Sequence, residues 1–326
     1  MEYVTLNNGV KMPILGFGVY QIPQEETKQA VLDAIDVGYR LIDTAQSYFN
    51  EKQVGEAISE CEIPREELFI TTKIWIENYG YEKCKASVYE SLEKLGLDYI
   101  DLVLLHQPFA DYYGAYRALE ELYKEGLIKA IGVSNFYPDR LTDICLFERE
   151  IIPAVNQVET NPFNAQYDAQ TNMEKHGVQI SAWAPFGEGM QGMFTNETLV
   201  KIGEKYNKTA AQAILRWLIQ RGVVINWIFH SSQPILSILK MTGLVPSLQH
   251  AIMTLSSFIH PCMIEPPCSA VYMYLLMASH ASEQKGTPFS PQCAVPGDFK
   301  ESSSGKPDLT SVPSPQCQKS SRSPFL

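Results

Sequence analysis

Between Ile14 and Asn226, short apolar or β-branched runs alternate with longer segments of helical spacing, and the order does not break. "ILGFGVY" is followed by "QEETKQAVLDAIDVG", whose Ala30, Val31, Ala34 and Ile35 recur on one helical face. "YRLIDTA" precedes "NEKQVGEAISEC", "LFITTKI" precedes "YEKCKASVYESLEKLG", and "YIDLVLLH" precedes a helical stretch around "YRALEELYKEG". "IKAIGVSNF", "PAVNQVE" and "VQISAWAPFG" continue the series, and "GVVIN" supplies the eighth strand. Several runs are apolar throughout, as a parallel sheet covered on both faces requires. Eight such steps predict an α/β fold, a (β/α)8 TIM barrel rather than a doubly wound open sheet. No helix of matching character follows the eighth run, so the eighth strand–helix unit is expected to be incomplete. A hairpin turn is expected ahead of the barrel, at "LNNG".

The composition changes at Asn226. Before it stand 20 Lys and Arg and 32 Asp and Glu; from it onward only 6 and 5, with 12 of the 20 prolines. Two regions follow: 1–225 as the barrel and 226–326 as a tail of different character. The Ser/Pro-rich end cannot bury enough apolar surface to offset its ordering entropy, and disorder is expected from about Ser282. "SAVYMYLLMASH" is much shorter than the roughly 20 residues of a membrane span. A formal charge of -11 without a basic run argues against nucleic-acid and anionic-membrane partners and favours a small-molecule substrate. "MEYVTLNNGV" lacks the basic start and apolar centre of a signal peptide, so a cytoplasmic location is expected. Seven scattered cysteines form no ligand spacing, and no metal site is expected.

Polar residues interrupt these runs at one kind of place, the strand C-terminal end. Asp43 closes the second run, Lys73 the third, His106 the fourth, Ser134 and Asn135 the fifth, Gln157 and Glu159 the sixth. In a barrel all such ends meet at one mouth. Singly, each has a plain structural role: a turn-forming Asp, a solvated Lys, a core His. Together with Tyr48, five residues beyond Asp43, they form a set able to protonate a carbonyl oxygen. A free phenol loses its proton near pH 10, and a neighbouring ammonium such as Lys73 would stabilise the phenolate as it forms. Asp43 would hold that ammonium charged, and His106 would orient the carbonyl. The hydride must then come from a cofactor, for which Ser134, Asn135 and Gln157 offer polar groups and Trp183 a flat face. "GFGVYQ" lacks the third glycine of a Rossmann turn. A Schiff-base aldolase or isomerase would need Lys73 neutral, which Asp43 opposes.

On these residues the chain resembles the aldo-keto reductase family, in particular its diketogluconate and methylglyoxal reductases. "GYRLIDTAQSYFNE" is similar to the family signature around its Asp and Tyr, "TTKIW" to the Lys segment, "LLHQP" to the His segment, and "GVSNF" and "VNQVE" to the nicotinamide-binding strands. The resemblance implies a (β/α)8 barrel that reduces aldehydes or ketones with NADPH, leaving NAD and oligomeric state open. It implies Tyr48 as general acid, Asp43 and Lys73 as its tuning pair, and His106 as the group that orients the substrate. Ser134, Asn135 and Gln157 would hold the carboxamide and Trp183 would stack on the ring. Ala184, Phe186 and Gly187 in "WAPFGEG", with Gly18, Val19 and Tyr20 on the first loop, would reach the cofactor. Tyr20 and Trp75 would wall the substrate pocket. After "RGVVI" the resemblance ends: "NWIFHSSQPILSIL" replaces the family's "IPKS"-like segment and the Arg after it. A changed reading frame or an alternative final exon would produce such a break. The chain is then either a reductase whose tail completes the barrel, or an inactive product or non-catalytic binding module built on the same scaffold.

Overall fold

The protein is described by a computed structural model over residues 2–147, 150–189 and 192–227. A hairpin opens the chain, β1 (Tyr3–Thr5) antiparallel to β2 (Lys11–Pro13) with Val4 opposite Met12. Gly9 turns it at φ +86, a conformation that a side chain would strain. Eight parallel strands follow: β3 (Leu15–Gly18), β4 (Leu41–Asp43), β5 (Phe69–Ile74), β6 (Leu102–Leu105), β7 (Ile131–Ser134), β8 (Val155–Glu159), β9 (Gln179–Trp183) and β10 (Val224–Trp227). They pair in chain order, and β10 joins β9 on one side and β3 on the other, so the barrel is closed. The eighth strand is therefore whole. The boundary expected at Asn226 falls inside it; the rest of the expected tail, its disorder and any eighth helix lie outside the described residues.

Alternation along each strand sorts side chains into two layers. Leu41, Phe69, Leu102, Leu104, Val155 and Val224 fill the lower barrel interior, where Leu6 and Met12 of the hairpin region pack against them. Ile42, Ile70, Val103, Leu105, Val158 and Ile225 face outward into a larger core shared with the helices. Gly132 belongs to the crowded interior: a Cβ there would lie 2.5 Å from the Val155 carbonyl oxygen.

The helices are α1 (Gln24–Asp36), α2 (Glu51–Glu60), α3 (Tyr81–Leu95), α4 (Tyr112–Lys124), α5 (Pro138–Leu146), α6 (Tyr167–Lys175), α7 (Glu197–Lys205) and α8 (Ala210–Gln220). In α3 the buried Cys84, Ser87, Val88, Ser91, Leu92 and Leu95 recur at helical spacing, and Gly96 ends the helix at φ +64. Asp111 caps α4 by accepting the Gly114 N–H, and Thr209 with Gln212 forms a capping box on α8. Two helices, α7 and α8, occupy the seventh crossover. Among the described residues no helix is long and apolar enough to cross a membrane, and no His, Cys, Asp or Glu cluster could hold a metal ion.

Candidate active site

Because Leu41 points into the lower barrel, Asp43 two residues on points into its upper end; the same step carries Leu104 to His106 and Val155 to Gln157. Asp43, His106, Ser134, Gln157, Trp183 and Asn226, from six strands or their ends, thereby line one cavity of about 160 Å³. Tyr48 enters it from a single 3-10 turn (Gln46–Tyr48) just after β4, which ends with Phe49 at φ +59.

Lys73 is fully buried beneath this cavity. Its Nζ is ion-paired with Asp43 Oδ1, donates to the Thr44 carbonyl oxygen at 2.9 Å and lies 3.3 Å from the Tyr48 hydroxyl. The other carboxylate oxygen of Asp43 accepts from Gln157 Nε2 at 2.9 Å and Asn226 Nδ2 at 3.2 Å. His106 stands edge-on to Tyr48 and Trp75, with ring centroids 5.9 and 5.2 Å away, and its Nδ1 is 3.4 Å from Ser47 Oγ. Opposite, Trp183 Nε1 donates to Asn135 Oδ1 at 2.9 Å, Asn135 Nδ2 donates to the His106 carbonyl oxygen, and Ser134 Oγ donates to the Gln157 carbonyl oxygen. Asn135 takes φ +64, a left-handed conformation that Asn tolerates better than most residues.

Burial governs the protonation states. It pushes the Tyr48 phenol well above its ordinary range, with the Asp43 carboxylate as the next cause. Lys73, ion-paired with Asp43, lies within reach of the same hydroxyl, where its charge would act on the phenolate as it forms. Burial, then the Lys73 charge, pushes His106 well below its ordinary range, so the imidazole is neutral near pH 7. Lys73 itself is lowered by burial and raised by Asp43, the first effect being larger.

The structure brings most of the sequence-predicted residues together, Gly18, Tyr20, Ala184 and Phe186 included. Val19, Gly187 and Trp75 do not line the cavity. The Val19 side chain is wholly buried and its N–H donates to the Asp43 carbonyl oxygen; Gly187 lies under Met193; Trp75 stands against His106, and its backbone N–H donates to Gln46 Oε1 in the turn that carries Tyr48. Sequence reasoning missed Gln21, Pro185, Glu188, Gly189, Phe194 and Asn226. Asn226 carried the signal that found the others, a polar residue at the end of an apolar run, but it was assigned to the tail. Phe194 lies beyond the loop and carried no signal.

A closed (β/α)8 barrel with Tyr, Lys, Asp and His converging at its C-terminal mouth is the framework of a carbonyl-reducing oxidoreductase. The profile of the Aldo/keto reductase family matches residues 14–242, and the chain belongs to that family. The match runs past the composition change at Asn226. The chain is 48% identical over 225 residues to a glyoxal reductase of Bacillus subtilis, covering 68% of this chain and 80% of that one. It is 40% identical over 225 residues to the methylglyoxal reductase DkgA of Escherichia coli, covering 68% and 81%. Among solved structures, an aldo/keto reductase from Brucella melitensis superposes with a TM-score of 0.70 at 37% identity, covering 76% of this chain and 93% of that one. An aldo-keto reductase of Bombyx mori, solved in complex with NADP, superposes with a TM-score of 0.68 at 34% identity, covering 74% and 87%.

Proposed function

We propose that this chain reduces small aldehydes and ketones to alcohols with NADPH, and that Tyr48 delivers the proton. The observation that carries the reading is the placement of the Tyr48 hydroxyl in the cavity, 3.3 Å from a Lys73 ammonium that is itself held by Asp43.

The cavity suits a nicotinamide. Its volume of about 160 Å³ is close to that of apolar cavities of roughly 150 Å³ that take up benzene, so one ring-sized group fits. Ser134, Asn135 and Gln157 line it with a hydroxyl and two amides suited to a carboxamide, and Trp183 offers a ring face. NADPH, when bound, supplies the hydride to the carbonyl carbon. The chain's own residues handle the oxygen. Tyr48, a phenol that keeps its proton near neutrality and is pushed further up here, gives that O–H proton to the oxygen, and the resulting phenolate is left beside Lys73. The attraction of that ammonium for a phenolate is larger in a dry site than in water. His106, neutral and fixed edge-on to Tyr48 and Trp75, orients the same oxygen without adding a second charge. Glyoxal and methylglyoxal, the compounds in the names of two relatives, are the first substrates to try.

The test pairs binding with turnover. NADPH titrated into the purified full chain is expected to quench tryptophan fluorescence saturably. Tyr48→Phe is expected to keep that binding while kcat for methylglyoxal falls by about 10²- to 10⁴-fold. A Phe variant that turns over at the wild-type rate removes Tyr48 as the acid, and a folded wild-type chain that binds no NADPH removes the reductase reading.

A further inference from the structure

Asp43 reaches Lys73 with one carboxylate oxygen and two amides with the other. Gln157 is one, on β8; Asn226 is the second, on β10, almost fully buried and opposite Gly16 of β3 in register. The Asn226 Nδ2 group spends its two hydrogens on Asp43 Oδ2 at 3.2 Å and on Ser181 Oγ at 3.3 Å. Turning the amide over would set its oxygen against the carboxylate, so the hydrogen-bond network fixes its orientation. Room for the amide exists only because β3 has no side chain there: a Cβ on Gly16 would lie 2.4 Å from Asn226 Oδ1.

Resting on the proposed role of Tyr48, we propose that Asn226 is a positioning residue for the proton donor, acting through Asp43 and Lys73. With Gln157 alone on Oδ2, the carboxylate is held less firmly against turning about its Cβ–Cγ bond. Lys73, tied to the other oxygen, follows it. The 3.3 Å contact between Nζ and the Tyr48 hydroxyl is already near the outer limit of a hydrogen bond, so a small displacement breaks it. The bland role, a polar filler of the barrel interior, predicts a loss of stability without any coupling to Lys73.

Asn226→Leu separates the two, with Asn226→Ser as a smaller replacement should the first fail to fold. A hydrogen bond to a charged group contributes enough that kcat is expected to fall about 10- to 100-fold, while KM for NADPH stays within about 2-fold. In a Lys73→Met background the same substitution is expected to cost nothing further, because the route through which it acts is gone. An equal loss in both backgrounds, a loss confined to KM, or no loss overturns the proposal. Crystal structures of wild type and variant give a readout independent of turnover. The variant is expected to show Lys73 Nζ more than about 3.5 Å from the Tyr48 oxygen. An unchanged separation overturns the positioning role, whereas a wild-type chain that shows this geometry but reduces nothing overturns only the functional reading on which it rests.

Discussion

His106 stays neutral because burial penalises the imidazolium, and the Lys73 charge beside it adds to that penalty. In the unfolded chain the same imidazole takes up a proton near pH 6.5. Its folded pKa is depressed, so below that pH the unfolded state binds more protons. The stability it contributes is complete above about pH 6.5 and is lost as pH falls toward the folded value. One proton is worth at most about 1.4 kcal/mol per pH unit. Between pH 7.5 and 5, urea unfolding of wild type is therefore expected to lose about 1–2 kcal/mol more than that of His106→Gln, and parallel curves for the two proteins would show that His106 charges freely in the folded state. The identity of His106, like that of Asp43, Tyr48 and Lys73, was legible in the sequence because each interrupts or follows an apolar run at a strand end. Their protonation was not. Residue type and order give the neighbours but not the depth, and depth is the first cause of both the raised Tyr48 phenol and the lowered His106 imidazole.

The alternation of runs gave the order of the elements and the hairpin ahead of them, while the close approaches between elements depend on three dimensions. Gly55 shows the difference. It sits inside α2, where helix propensity alone says that alanine would be better by about 1 kcal/mol. Yet α3 crosses there so closely that a Cβ on Gly55 would lie 2.4 Å from the Leu95 carbonyl oxygen and 2.8 Å from its Cα. Backbone at that distance cannot swing aside as a side-chain tip can, so α2 must lift off α3, and overpacking of this kind costs about 1–3 kcal/mol. Gly55→Ala is expected to be net destabilising, with a lowered urea midpoint and an unchanged slope; a raised midpoint would mean that the helices have slack at this crossing. The eighth strand shows the complementary lesson. Charge and proline content changed at Asn226, but β-pairing depends on backbone register and on which residues face inward, and Val224 to Trp227 satisfy both.

Closure is a property of the whole barrel, and four residues complete it. Ile225 N–H donates to the Ile14 carbonyl oxygen across the seam, Val224 enters the inner layer, and Trp227 fills the outer one, its Nε1 donating to the Tyr39 hydroxyl at 3.0 Å and its ring 5.8 Å from Phe186. Burial of three such side chains stabilises by about 1.5–3 kcal/mol each, a sum comparable with the 5–15 kcal/mol net stability of a whole domain. Losing the strand also bares the facing edges of β3 and β9, which then offer unpaired backbone groups to other chains. It removes Asn226 from Asp43 as well, so stability and site geometry fail together. Two changes approach this from different sides. A chain ending at Gly222 lacks the strand entirely, whereas Ile225→Pro in the full chain keeps every other residue but deletes the seam hydrogen bond and sets a proline in a strand paired on both sides. Both are expected to lose the single sharp thermal transition and the saturable quenching by NADPH. If Ile225→Pro keeps both, the seam hydrogen bond is dispensable and side-chain burial along β10 holds the barrel shut; if the shortened chain keeps both as well, closure is not what sustains the site.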